Sequence, residues 1–295
     1  MIIGGSTKCG TTSLFNYFEF HPQVCACPMK ESRYFLEPGY KLVAAGRDHS
    51  MHPEFGNLFV GCDTGMVRME ATPDYLYSTH ALKRIASEIP NTKLVFILRE
   101  PSGRFISWFK YSKQLGLIED GLTLDEYLNQ QRENMDAPQH LRALEQGRYS
   151  EYLKKVYEVF SKSNVLICFY EELVNDPKAL CDKICQFAGI DSRYFEGYQF
   201  LVYNKSAGGK ASGASRVFKS IKRFLKPLKQ RLPKVMRKRL KLAALQIDNA
   251  LATDTNKLTS SLMGSEDAMK RLSDYYNDEG ERIDRLTGIL PPWRK

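Results

Sequence analysis

The chain runs to 295 residues, 43% of them hydrophobic and 26% charged, proportions ordinary for a soluble enzyme with a sizeable core. No window approaches eighteen uninterrupted apolar residues, which excludes a hydrophobic membrane span, and the N-terminus lacks the basic, apolar and small-residue order of a secretory signal, so a cytoplasmic protein is the expectation. Of the net charge of +9, residues 197–247 carry 14 Lys or Arg and no Asp or Glu, which leaves −5 on the remainder.

The apolar start Met1, Ile2, Ile3 leads into Gly5-Ser6-Thr7-Lys8-Cys9-Gly10-Thr11-Thr12 and then into the amphipathic run Leu14, Phe15, Tyr17, Phe18. A glycine-rich turn ahead of a helix aims backbone N–H groups at an anion and adds the positive end of the helix dipole, so this loop reads as a phosphate holder. A nucleoside-triphosphate loop, G-x-x-x-x-G-K-[ST], has its lysine after the second glycine. Gly5 and Gly10 keep that spacing, but Thr11 fills the lysine's slot and Lys8 lies inside the loop. The expected ligand is a phosphate ester, and not ATP used in the ordinary way.

Short strands are expected over 24–27 and 67–69, and stronger ones over 93–98 and 165–169. Ser78 is placed to cap a helix running through Ile89, Thr123 with Glu126 makes a capping box, and Asp176-Pro177 is an N-cap followed by proline at the first helical position, with Gly189 closing that helix. Apolar runs alternating with helical ones predict an α/β fold, a parallel sheet wrapped by crossover helices. His21, before Pro22, is expected to serve structure at the end of the first helix, and His80 to lie on a helix surface. The seven cysteines (Cys9, Cys25, Cys27, Cys62, Cys168, Cys181, Cys185) show no C-x-x-C pair, so neither a zinc site nor a disulfide framework is expected and reduced thiols are.

A second site signal lies in 94–108, where a strand ends at Arg99 and a helix starts at Pro101. Ligands of parallel sheets bind outside the carboxyl ends of strands, which puts Arg99 on the rim of the Gly5 loop, with Ser107 six residues into the helix. The plain alternative is a salt bridge from Arg99 to a helix and a solvent-facing Ser107. Beyond the Gly/Ser/Lys segment at 204–215, Phe218, Ile221, Phe224, Leu225, Leu228, Leu232, Val235 and Met236 recur at helical steps under a basic face, broken by Pro227 and Pro233. This stretch reads as a solvated face over a core patch or as a surface gathering anionic glycan or membrane lipid. Nucleic acid is not an expected partner, since no recognition motif or aromatic-interleaved sheet accompanies the charge.

Together the two blocks resemble the sulfotransferases that use 3′-phosphoadenosine-5′-phosphosulfate (PAPS), closest to the heparan sulfate sulfotransferase-like branch and its bacterial relatives. Lys30-Glu31-Ser32-Arg33-Tyr34-Phe35, Glu70-Ala71-Thr72-Pro73-Asp74-Tyr75, Gly147-Arg148-Tyr149, Glu171-Glu172-Leu173 with Asp176-Pro177, and Leu290-Pro291-Pro292-Trp293 extend the resemblance over most of the chain. It implies a P-loop NTPase-like sheet flanked by helices, one domain over 1–295 with a basic helical insertion at 213–262. It implies PAPS as donor, adenosine 3′,5′-bisphosphate as product, no metal, and a carbohydrate or glycoconjugate hydroxyl as acceptor.

The resemblance assigns the 5′-phosphosulfate to Ser6, Thr7, Lys8, Cys9, Gly10, Thr11 and Thr12, the 3′-phosphate to Arg99 and Ser107, and a covering loop to Lys205 and Lys210. Lys8 would stabilise the leaving phosphate and Glu31 would take the acceptor's proton, with Tyr34 and Phe35 expected to raise the Glu31 pKa. Alternatively Glu31 simply pairs with Lys30 or Arg33. Glu70 and Asp74 are candidates for orienting the acceptor, and Ala71 stands where the heparan sulfate branch carries a lysine. The rival readings are a P-loop kinase or NTPase, which calls for a lysine after Gly10, and a non-enzymatic anion- or membrane-binding module working through the basic helices.

Overall fold

Every residue of strand Leu94–Leu98 is buried, and its successive side chains serve opposite cores. Leu94, Phe96 and Leu98 pack with Ile2, Ile167 and Phe169, and Val95 and Ile97 with Ile3, Met69 and Cys168. A strand covered on both faces needs apolar residues at every position, hence the unbroken run in the sequence. The computed structural model describes residues 1–40, 54–133, 141–201 and 265–294, together with the isolated helical positions 236 and 243.

Five strands, β1 (Ile2–Gly5), β2 (Val24–Ala26), β3 (Val67–Ala71), β4 (Leu94–Leu98) and β5 (Val165–Phe169), form one parallel sheet in the order β2-β3-β1-β4-β5. On one face lie α2 (Thr79–Glu88) and α5 (Tyr149–Val159), inserting Leu82, Ile85, Leu153 and Val156. The other face is covered by α1 (Thr11–Phe18) and α7 (Pro177–Ala188), through Leu14, Phe18, Leu180 and Ile184. A third cluster joins α3 (Pro101–Gln114), α4 (Leu124–Glu133) and α8 (Glu266–Tyr275) around Phe105, Leu128 and Leu272. The short α6 (Tyr170–Asn175) continues β5, and α9 (Glu279–Thr287) packs Ile283 into the first core.

The expected caps form. The Ala81 amide donates to Ser78 Oγ at 3.0 Å, the Thr123 and Glu126 side chains and backbones bond reciprocally, and the Ala179 amide donates to Asp176 Oδ1 at 2.9 Å. Gly189 closes α7 at φ 69°. His21 is buried, bonded through Nε2 to the Asp191 carbonyl at 2.8 Å, a structural role as expected, and His80 is exposed.

The expectation of reduced cysteines fails at one pair. Cys25 on β2 is disulfide-bonded to Cys62, their Cα atoms 5.8 Å apart, while Cys9, Cys27, Cys168, Cys181 and Cys185 are free and buried. The two are brought together by β2 and the turn after Phe59, a proximity their spacing in the sequence does not encode. The insertion at 213–262 lies outside the described residues apart from Met236 and Ala243, and among the described residues no helix is long and apolar enough to cross a membrane.

From β1 the chain moves toward β2, and from β4 it moves toward β5. The crevice where the strand order reverses therefore lies between the carboxyl ends of β1 and β4, where open α/β sheets bind ligands. The Gly5 loop leaves β1 at that point and Arg99 follows β4.

Candidate active site

The loop is tied to the sheet at its root, where the Ser6 amide donates to the Ile97 carbonyl at 2.6 Å. Gly10 sits before α1 at φ 90°, and a Cβ there would come within 2.5 Å of the Leu173 side chain, so both backbone and space require glycine. No side chain caps α1 and its first turn holds no acid, which leaves its leading N–H groups for an anion.

Two of the residues expected to contact the ligand do not offer their side chains. The buried Ser6 hydroxyl lies 2.5 Å from the Tyr77 hydroxyl, and the buried Cys9 Sγ lies 3.8 Å from the Tyr149 hydroxyl. Burial pushes the Cys9 thiol up, so it stays protonated. Both hold the loop from beneath, and only their backbones can serve an anion. Thr7, Lys8, Gly10 and Thr12 are half-buried, and Thr11 is buried at the helix start.

Lys8 adopts φ 71° and rests its Nζ 3.9 Å from the centroid of the Tyr111 ring. Among the described residues it makes no hydrogen bond or ion pair. Burial first, and then the Arg99 charge, push its ammonium down to about 8, against the opposing pull of Glu31. Arg99 lies over the Tyr170 ring, 4.5 Å from its centroid, and forms no salt bridge among the described residues. Glu100, the neighbouring acid, is spent on the start of α3, accepting from the amides of Ser102 and Gly103 at 2.8 and 2.5 Å. Ser107 is 8% exposed, turned from solvent rather than toward it. Two cations thus act on one another at the crevice without a bonded carboxylate.

The segment bearing Glu31 is stitched to the end of β3. The amide of Glu31 donates to the Ala71 carbonyl at 2.8 Å, those of Ser32 and Arg33 to Glu70 Oε1 and Thr72 Oγ1 at 3.0 and 3.1 Å, and that of Phe35 to the Tyr75 hydroxyl at 3.4 Å. Glu31 and Arg33 have φ of 62° and 61°, and with Lys8 they are the only non-glycine residues at positive φ among the described residues. Such conformations cost energy and persist where the surroundings over-determine them, commonly at functional sites.

Glu31 pairs with Lys30 at 2.6 Å and with Arg33 at 3.2 Å. Burial pushes its carboxyl up, but the Lys30 and Arg33 charges outweigh that, and the net shift is downward. The expected rise from Tyr34 and Phe35 is therefore overturned, and Glu31 is an ionised acceptor at neutral pH. Its charge acts on Lys8, which places carboxylate and cation in one neighbourhood. Glu70 is fully buried, accepts from Ser32 and Thr72 through Oε1, and is pushed up to about 7 by burial. Asp74, also buried, accepts from the Tyr40 hydroxyl at 3.2 Å and is pushed up to about 6 by burial and then by the Glu31 charge.

Lys205 and Lys210 lie outside the described residues. Among the described residues no group of three or more His, Cys, Asp or Glu is placed to hold a metal. Two residues escaped the sequence reading. The Tyr111 ring lies 3.9 Å from Lys8 Nζ, and Arg104, fully buried, donates to the Ala143 carbonyl and to Gln146 Oε1. The signal was there: Arg104, Ser107 and Tyr111 follow one another at helical steps on α3.

Residues 1–208 match the family described as "Sulfotransferase domain". Human bifunctional heparan sulfate N-deacetylase/N-sulfotransferase 3 is 26% identical over 204 residues, covering 65% of this chain and 22% of that protein. Human heparan sulfate glucosamine 3-O-sulfotransferase 3B1 is 28% identical over 220 residues, covering 73% of this chain and 53% of that one. The chain therefore matches about half of the second relative's length and less of the first's. Among solved structures, a sulfotransferase from Alicyclobacillus acidocaldarius shares the fold, with a TM-score of 0.64 at 20% identity, covering 100% of this chain and 98% of that chain.

Proposed function

The chain belongs to the sulfotransferase domain family, and on that premise we propose that it transfers a sulfuryl group from PAPS to a hydroxyl of a carbohydrate or glycoconjugate. The observation that carries this reading is the convergence of Lys8 and Arg99, without bonded carboxylates, on an uncapped helix start, with the ionised Glu31 acting on the same lysine. Such a site suits a substrate bearing several anionic groups. A nucleoside triphosphatase is disfavoured by Thr11 in the slot where its lysine belongs.

In this reading the N–H groups from Ser6 to Thr12 hold the 5′-phosphosulfate, and Arg99 with Ser107 holds the 3′-phosphate. The acceptor oxygen attacks sulfur, its proton passes to Glu31, and the bond from sulfur to the bridging phosphate oxygen breaks with its electrons on that oxygen. Lys8 stabilises the charge developing there, a contribution whose removal typically costs about 10²–10³ in rate. The relatives' names include both N- and O-sulfotransferases of heparan sulfate, and they support a sugar acceptor.

The test is incubation with radiolabelled PAPS and a panel of desulfated, N-acetylated and N-sulfated glycans, lipids and small alcohols. Label on a sugar oxygen with matching release of adenosine 3′,5′-bisphosphate is the expected result. Label on nitrogen alone would contradict the O-transfer assignment, and no transfer to any sugar would contradict the acceptor class.

A further inference from the structure

We propose that Tyr111 is a positioning residue for Lys8, its ring face holding the ammonium over the loop in the geometry that sulfuryl transfer uses. The inference rests on the function proposed above, in which Lys8 meets the leaving phosphate. A lysine is a point charge on a flexible four-carbon stem, and a catalytic group has to be held within about 0.5 Å of its productive place by its supports. Nothing in the loop itself does this: among the described residues Lys8 has no hydrogen bond or ion pair, and its neighbour Cys9 is turned into the protein. The Tyr111 ring, 3.9 Å from Nζ, is the contact that fixes it, at a distance where a cation is drawn to a ring face.

The ring is itself well placed to act as a fixed wall. Tyr111 lies on α3 four residues beyond Ser107, hence on the same side of the helix, and its ring packs against Trp108 with centroids 6.0 Å apart. Burial pushes its phenol up, Glu31's charge adds to that and Arg33's opposes it, so the ring that touches Lys8 also feels the charge of the candidate base. One helix thereby supplies Ser107 to the nucleotide and Tyr111 to the lysine, and any shift of α3 moves both together. The charged groups that act on Lys8 are Arg99 and Glu31, with the neutral Cys9 thiol beside it, and the substitution of the ring alters none of them.

The proposal is tested first in the unliganded protein, where the reading does not depend on the donor or acceptor. Competitive acetylation over pH 6 to 10 with peptide mass spectrometry reads the protonation of Lys8 in the parent, Tyr111→Leu and Tyr111→Phe. A ring face stabilises the charged form, so Tyr111→Leu is expected to weaken proton binding at Lys8 about tenfold while Tyr111→Phe keeps it at the parent's value. With PAPS and an acceptor, turnover falls about tenfold in Tyr111→Leu and is recovered for the most part in Tyr111→Phe, with affinity for adenosine 3′,5′-bisphosphate changed less than threefold. Thermal melting of both variants identifies a global folding defect. Unaltered Lys8 titration in a folded Tyr111→Leu, or a loss in Tyr111→Phe equal to that in Tyr111→Leu, overturns the proposal. An inactive parent whose Lys8 still titrates as described would instead overturn the proposed function and leave the ring contact standing.

Discussion

In the proposed mechanism Lys8 and Glu31 divide the chemistry by the signs of their surroundings. Lys8 is pressed by burial and by Arg99 toward losing its proton, whereas Glu31 is held in its charged form by Lys30 and Arg33 in spite of burial. A bound anion favours the charged lysine, so it raises the Lys8 pKa above about 8. Donor affinity is therefore fully present below that value and weakens as pH rises through it. Titration calorimetry with adenosine 3′,5′-bisphosphate between pH 7 and 9.5 should show this decline in the parent and a flat profile in Lys8→Met; a decline of equal size in both would assign it elsewhere. Glu31→Gln keeps the nucleotide site and removes the base, and the expected outcome is a fall in turnover of about 10²–10⁴ with nucleotide affinity within threefold of the parent. Near-normal turnover would remove Glu31 from the mechanism. The residue types at this scale were legible in the sequence because the loop and the Glu31 segment are short and local. Their couplings were not, since Lys8 meets Tyr111, and Glu31 meets the end of β3, only through the fold.

At the scale of elements, strands and caps were readable for local reasons. The β4 and β5 runs are apolar because both faces are covered, and Ser78, Thr123 and Asp176 cap helices with side chains that reach three residues ahead. The N-terminal strand could be inferred only as an apolar start, and β3 extends to Ala71 rather than Met69 because its last residues pair with β1. The loop between β1 and α1 stands on Gly10 most of all. Alanine there meets both an unfavourable φ and the Leu173 side chain, and Gly10→Ala is expected to cost about 1–3 kcal/mol and to abolish nucleotide binding. Urea unfolding with and without adenosine 3′,5′-bisphosphate measures both. A variant that unfolds at the parent's midpoint and is still stabilised by the nucleotide would show that the loop tolerates a side chain at this position.

Across the whole molecule, the Cys25–Cys62 bond is the constraint that the sequence reading lacked. It closes a loop containing Lys30, Glu31 and Arg33, with 37 residues of separation, and cross-links of this kind typically contribute about 2–4 kcal/mol. A reductant, or Cys25→Ser with Cys62→Ser, should lower the urea midpoint accordingly without changing nucleotide affinity by more than a few-fold, because the nucleotide loop is anchored by β1 and β4 instead. An unchanged midpoint would show that the sheet alone holds this loop.

In the proposed mechanism the crevice between β1 and β4 selects a nucleotide with a 3′-phosphate. Thermal denaturation with adenosine 3′,5′-bisphosphate or with magnesium ATP, each at about 100 times the bisphosphate's dissociation constant, tests it directly. Binding to the folded state alone adds about 2.7 kcal/mol at that concentration. A larger rise in melting temperature is expected with the bisphosphate than with ATP, with loss of that difference in Arg99→Ala. A rise that is greater with ATP, or a preference that survives the loss of Arg99, would contradict it.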